Sequence, residues 1–296
     1  MIHLLKKLVP KSVKQEIKKE LNQIASNSSP IHANLLLSKL YHPMEISSQY
    51  PIAYFLDQKQ KTPKTALDSY PIPPSHMRMG YAANNDKEYM ESGYYSAGSL
   101  LQILNRHKFN LQPGITMLDW GCATGRVLRY FAKEAAQGEF WGMDQDAASI
   151  QWNKENLSPP FHFMNCTAYP HLPFEDNKFD LIYGLSVFTH IYHCYDLWLM
   201  EFRRILKKGG YAIFTVVDEY CWEYMRKNGK LEWMPEQDFT QGLPHDLTVY
   251  GGEIWGGTFV FVKRDWVKKE WGRYLQVIEI EPAVEGYQTA ILLRKE

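Results

Sequence analysis

From about residue 89 onward, compact apolar runs alternate with polar, glycine-marked turns. The runs are Ile115 to Leu118, Phe140 to Met143, Phe161 to Met164, Phe179 to Phe188 and Tyr211 to Val217. Runs so continuous predict strands buried on both faces, the pattern of a parallel sheet covered by helices. Between the first two runs, Val127, Leu128, Phe131, Ala132 and Ala135 fall on one helical stripe. A second helix is predicted around Leu197 to Leu206. It should stop at Lys207-Lys208-Gly209-Gly210, where cations meet the negative helix end and glycine permits a left-handed cap. Two last runs, Leu275 to Ile280 and Gln288 to Leu293, are joined by a short loop with Pro282 and Gly286. So short a link predicts an antiparallel pair.

The first run leads directly into Asp119-Trp120-Gly121-Cys122-Ala123-Thr124-Gly125-Arg126 and then into the striped helix. A strand, an acidic glycine turn and a helix in succession make a nucleotide-type cofactor loop. Gly121 and Gly125 are expected to allow a tight turn and close approach of a ligand. No Lys follows Gly125, so nothing would meet the terminal phosphates of ATP or GTP. A dinucleotide loop needs Gly-x-Gly-x-x-Gly to seat a diphosphate on a helix N-terminus. This loop instead has Asp119 at its mouth, and a carboxylate suits a cation better. Asp144 ends the second run about 25 residues on, the spacing at which open α/β folds place an acid for a ribose diol.

The motif resembles the first motif of the class I S-adenosylmethionine-dependent methyltransferases, acidic-x-Gly-x-Gly-x-Gly. Ala123 stands at the middle glycine and is tolerated there if its φ is negative. The resemblance covers roughly residues 89 to 296. It implies an α/β, Rossmann-like, seven-stranded and mostly parallel sheet with one antiparallel strand and helices on both faces. It also implies S-adenosylmethionine as cofactor. Asp119, Gly121, Cys122, Thr124 and Gly125 would then hold the methionyl part and Asp144 the ribose. Asn165 and Cys166 would meet the adenine, and Gln145 and Leu185 are also expected to bind the cofactor. Arg78 follows Pro73-Pro74, as an arginine does in similar bacterial enzymes, and could clamp the methionyl carboxylate.

For the acceptor, Ser186-Val187-Phe188-Thr189-His190-Ile191 with Trp198 to Leu206 resembles a bacterial branch often encoded beside sugar-modifying or secondary-metabolite enzymes. The loop lies at the carboxyl end of the fourth strand, beside the crevice where ligands bind in such sheets. His190 could take a proton from an acceptor hydroxyl, or simply hydrogen-bond the backbone. His190 and His193 lack the glutamate of a zinc-protease pattern, so no metal is expected. Ser158-Pro159-Pro160-Phe161 resembles the tetrapeptide of methyltransferases acting on exocyclic or amide nitrogens, but it precedes the third strand rather than following the fourth. The expected reaction is O-methylation of a sugar, glycan or other small hydroxyl acceptor. The alternatives are a small-molecule N-methyltransferase and a non-catalytic cofactor-binding subunit.

Composition completes the outline. The chain has 296 residues with 33 basic and 33 acidic side chains, a balance that does not point to nucleic acid. Four cysteines without paired spacing and no long apolar span suggest a reducing cytoplasm. Residues 1–88 form an extension with two parts. Leu4 to Leu21 is a basic amphipathic stretch suited to an anionic membrane surface or to a partner such as a glycosyltransferase, and the rest is a Pro-rich linker or lid. Residues 89–296 form the catalytic domain. Within it, the insert 218–272 carries Tyr220, Trp222, Tyr224, Trp233, Phe239, Tyr250, Trp255, Phe259, Trp266 and Trp271. It is expected to be an aromatic-rich substrate cap, most of whose rings fill its core.

Overall fold

A computed structural model describes residues 42–43, 54–55, 70–78, 85–228, 242–250 and 258–296. The expected basic N-terminal helix lies outside the described residues, as do Trp233, Phe239 and Trp255 of the insert. Two dipeptide strands come first, β1 (His42–Pro43) and β2 (Tyr54–Phe55). Then come α1 (Asp86–Arg106), β3 (Thr116–Trp120), α2 (Ala132–Ala135), β4 (Glu139–Asp144), α3 (Ala147–Asn156), β5 (His162–Asn165) and β6 (Phe179–Gly184). The remainder is α4 (Tyr195–Ile205), β7 (Leu206–Val216), α5 (Glu219–Lys227), β8 (Leu247–Tyr250), β9 (Phe259–Val262), α6 (Arg264–Trp271), β10 (Gln276–Glu285) and β11 (Gln288–Arg294).

Among the described residues the main sheet has the order β1-β2-β5-β4-β3-β6-β7-β11-β10. Strands β3 to β7 run parallel and β11 runs against β7. The seven-stranded sheet with one reversed strand is therefore present, lengthened at one edge by β2 and β1. Strand β10 is longer than the run Leu275 to Ile280 and takes in Pro282, which needs no ladder donor on an edge strand.

Strict alternation divides the sheet into two cores. Leu118, Trp120, Ile182, Phe214 and Ile291 face one side, while Met117, Leu181, Tyr183, Ile213 and Leu292 face the other. On the first side Trp120 contacts four rings, with centroid distances of 4.6 Å to Trp198, 4.8 Å to Phe202, 5.2 Å to Phe188 and 5.8 Å to Phe214. Trp271 of α6 joins them, 4.7 Å from Phe188, so the end of the insert belongs to the main core. On the second side, α1 lies over the stripe Val127, Leu128, Phe131, Ala132 and Ala135. That stripe is buried as expected, but it is carried by a 3-10 turn at Leu128–Phe131 followed by the single turn of α2.

Helix α4 ends differently from the expectation. Its cap, Leu206, is already extended (φ −71°, ψ 140°) and begins β7 opposite Phe179. Gly209 has its positive φ of 79° inside β7, where the register with β6 shifts. Lys207 pairs with Asp180 at 2.7 Å and not with the helix end. Pairing with β6 captures the chain before a glycine cap can form.

The described part of the insert has its own small core of Val217, Cys221, Trp222, Met225, Leu243 and Phe261. The β8–β9 pair is tied to the sheet by Val260 N donating to Thr189 O (2.8 Å) and Val262 N donating to Val217 O (2.9 Å). The insert thus covers the carboxyl ends of β6 and β7.

Candidate active site

The loop after β3 turns back over its own strand and over β4. Gly121 and Gly125 have φ of +80° and +69°, as the turn requires. Their missing Cβ atoms make room for protein: a Cβ on Gly121 would sit 2.4 Å from Val187, and one on Gly125 2.5 Å from Leu157. Ala123 is left-handed, with φ +43°, contrary to the expected negative value. Two bonds hold it there. Its N–H donates to Asp144 Oδ2 (2.7 Å) and its carbonyl accepts from Asn153 Nδ2 (2.7 Å). An L-residue in this region is disfavoured by about 1–2 kcal/mol, and these two bonds offset that cost.

Asp144 also accepts from Asp146 N through Oδ1 (2.8 Å), so each carboxylate oxygen already carries one backbone donor. It remains partly exposed although protein atoms crowd it on most sides. Burial raises its pKa to about 6, against the lowering effect of these N–H groups. Asn165 donates to the Asp144 carbonyl at 2.9 Å, as does Cys166 N at 2.9 Å. The Cys166 and Cys122 thiols are buried, and burial pushes both well above the ordinary thiol range. They are not thiolates near neutral pH.

Asp119 is paired in register with Tyr183 across β3 and β6. Both side chains are buried, at 4% and 1% exposure, and both line one small cavity. Burial pushes the Asp119 carboxyl up to about 7; Tyr183 and Arg126 oppose the rise, and Asp144 adds to it. The Tyr183 hydroxyl is near enough to lower that value, yet it closes no hydrogen bond of standard geometry with a described group.

The segment 70–78 and α1 form the other wall. Arg129 is buried and donates to the carbonyls of Tyr70 (2.8 Å) and Pro71 (3.1 Å), anchoring this segment. Arg78 then donates through Nε to Pro73 O (3.0 Å), pairs with Asp86, and lies 5.2 Å from the Tyr89 ring centre. The Tyr89 hydroxyl shares a hydrogen bond with Thr124 Oγ1 (2.9 Å). Deeper, Arg126 pairs with Glu285 (2.6 Å) at the end of β10, with Ser96 of α1 bonded to both. The cavity is lined by Arg78, Tyr89, Asp119, Thr124, Arg126 and Tyr183, with Gly121, Cys122 and Leu185 also on its walls. Its volume is about 40 Å³. Cofactor-sized ligands need roughly 300–1,000 Å³, so the cavity must open to admit one.

His190 stands apart from that cavity, exposed at the end of the loop after β6. Its Nδ1 lies 2.7 Å from the carbonyl of Thr258 and therefore carries the hydrogen. That leaves the Nε2 lone pair outward. The loop is held by Ser186, whose φ of +60° is strained. Ser186 N donates to Thr215 Oγ1 (2.7 Å), its Oγ accepts from Gln288 Nε2 (2.9 Å), and Thr215 donates to Gln288 Oε1 (2.6 Å).

Of the expected cofactor residues, Arg78, Asp119, Gly121, Cys122, Thr124 and Leu185 line the cavity, whereas Gly125, Asp144, Gln145, Asn165 and Cys166 do not. Tyr89, Arg126, Tyr183 and Glu285 were not expected. Tyr183 could have been found by the alternation that puts it on the face of Asp119, but nothing local marks Glu285 as a partner of Arg126. The donor set fits S-adenosylmethionine chemically: carboxylates suited to a cation and a ribose, and a guanidinium suited to a carboxylate.

Residues 118–214 match the methyltransferase domain family. The C-methyltransferase UbiE of ubiquinone/menaquinone biosynthesis from Paraburkholderia xenovorans is 30% identical over 158 residues, which cover 49% of this chain and 60% of that one. The chain thus spans less than two thirds of that relative's length. The corresponding protein of Burkholderia vietnamiensis matches equally, at 30% identity, 49% of this chain and 60% of its own. A solved S-adenosylmethionine-dependent methyltransferase from Clostridium acetobutylicum shares the fold, with a TM-score of 0.51 at 15% identity over 68% of this chain and 91% of the other. Residues 118–214 thus match a methyltransferase domain, and the fold is one shared with a solved S-adenosylmethionine-dependent methyltransferase.

Proposed function

We propose that the protein is an S-adenosylmethionine-dependent methyltransferase acting on a hydroxyl of a small or glycan-borne acceptor, with His190 as the general base. The observation that carries the acceptor half is the Nδ1 hydrogen bond to Thr258 O at 2.7 Å, which leaves Nε2 as the exposed acceptor. A bound sulfonium would supply an activated methyl group. The chain's own work is to hold the nucleophile in line, exclude water and take up the hydroxyl proton on Nε2 as the bond forms. Asp119 would face the cationic methionyl end, Arg78 the carboxylate after it leaves Asp86, and Asp144 the ribose through its remaining lone pairs.

Methyl transfer to carbon is a second reading, supported by the names of the relatives at 30% identity. It uses the same base on a ring hydroxyl, so the methylated atom distinguishes the two. Calorimetric titration with S-adenosylmethionine and its demethylated product should give binding that Asp144→Asn weakens. This is a milder change than Asp144→Ala, which would also release Ala123. A screen of sugars and phenols with isotopically labelled methyl should yield a methoxy product, and His190→Gln should cut kcat by roughly a hundredfold to ten-thousandfold with cofactor affinity kept. A C-methyl product would select the second reading, and an unchanged rate in His190→Gln would remove the base. Failure of well-folded protein to bind either ligand would overturn the proposal.

A further inference from the structure

From the pairing of Asp119 and Tyr183 we infer that Tyr183 is a positioning residue for the cationic end of the cofactor, acting through Asp119 and making cofactor binding proton-linked. The inference rests on the cofactor reading above. It goes beyond it in assigning Tyr183 a task and the site a pH response.

Three observations carry it. Asp119 and Tyr183 are register partners on adjacent parallel strands, and their side chains project to the same face into the same cavity. The Tyr183 hydroxyl is fully buried and, among the described residues, closes no hydrogen bond of standard geometry. As a phenol whose pKa burial pushes well above its ordinary value, it keeps its proton and can donate it to a neighbouring acceptor. The acceptor beside it is Asp119, whose carboxyl holds its proton up to about pH 7. The charged and titratable groups facing Asp119 are Asp144 from β4, Arg126 from the turn after the loop, Cys122 from the loop, and Tyr183 from β6. Arg78 and Tyr89 complete the cavity wall.

The site therefore rests with Asp119 protonated below neutral pH. Arrival of a cation favours the ionised carboxylate, the proton leaves to solvent, and the Tyr183 hydroxyl turns its donor onto the new charge. A hydrogen bond to a charged group is the stronger kind. Tyr183 then contributes only when Asp119 is ionised.

The experiment is calorimetric titration of the full chain with S-adenosylhomocysteine, whose amino-acid end bears the ammonium. It is run between pH 5.5 and 8.5 in two buffers of different ionisation enthalpy, for wild type, Tyr183→Phe, Asp119→Asn and the double variant. Wild type should bind more tightly as pH rises through about 7 and release a fraction of a proton near pH 6. Tyr183→Phe should move that tightening to higher pH, losing up to roughly tenfold at pH 5.5 and little at pH 8.5, where Asp119 is ionised in free and bound protein alike. On the Asp119→Asn background the Tyr183 substitution should have no effect. A loss in Tyr183→Phe that is the same at every pH, or that persists without Asp119, would show a packing role and overturn the inference while leaving the cofactor reading intact. No binding by folded wild type would overturn both.

Discussion

Asp119 and Trp120 are consecutive in β3 and equally buried, at 4% and 3% exposure, yet they face opposite sides of the sheet. Trp120 enters a cluster of rings in which each aromatic pair adds about 0.5–1.5 kcal/mol beyond its area. Asp119 enters a polar cavity with a second carboxylate nearby and holds its proton to about pH 7. One face stabilises the fold, and the other stores a desolvated carboxyl group that a cationic ligand can relieve. Burial by itself says nothing of which is which; the chemistry of the facing wall decides.

The largest expected effect comes from the apolar face. Trp120→Ala should destabilise by about 3–5 kcal/mol, read as a lower denaturant midpoint, since four buried aromatic side chains would line the void. Next comes the polar face at its deepest point. Glu285→Gln removes the buried carboxylate paired with Arg126, and about 3 kcal/mol should be lost with a concurrent fall in cofactor affinity, because Arg126 lines the cavity.

Asp119→Asn should act with the opposite sign on the ligand-free protein. The folded-state pKa of Asp119 is raised from 3.8 to about 7, so the folded protein keeps a proton that the unfolded chain gives up. Its contribution is intact below about pH 4 and is lost as pH climbs through 7. The Tm of Asp119→Asn should thus match wild type near pH 4 and exceed it by several degrees at pH 8, with weaker cofactor binding. A Tm difference that does not vary with pH would mean that the carboxyl is not held protonated. The smallest effect belongs to Ala123→Gly. It relieves the +43° φ but adds freedom to the unfolded chain, so a gain of about 1 kcal/mol or less is expected, measured by chemical denaturation.

The strands were legible because a doubly covered sheet demands continuous apolar runs, and each run from Ile115 to Leu293 lies in or against a strand. The loop between Asp119 and Gly125 was legible as a cofactor motif. The purpose of its glycines was not: their missing Cβ atoms make room for Val187 and Leu157, which lie more than 30 residues further along. The end of α4 was misread because Lys207 and Gly209 have local meanings that pairing with β6 overrides. Trp271, at the end of the insert, packs in the main core, a placement that no local spacing encodes.

By itself, then, the sequence determined the order of elements, the buried faces of the strands and the acidic cofactor loop, because these depend on local spacing and on the alternation of side chains. Only the tertiary structure decided how the site is assembled. Arg126 meets Glu285, Gln288 meets Ser186, His190 meets the carbonyl of Thr258, and Tyr183 stands beside Asp119. Such contacts join residues tens to well over a hundred positions apart. Their energies come from shared burial and from the fields of neighbouring charges, which no local pattern in the chain encodes.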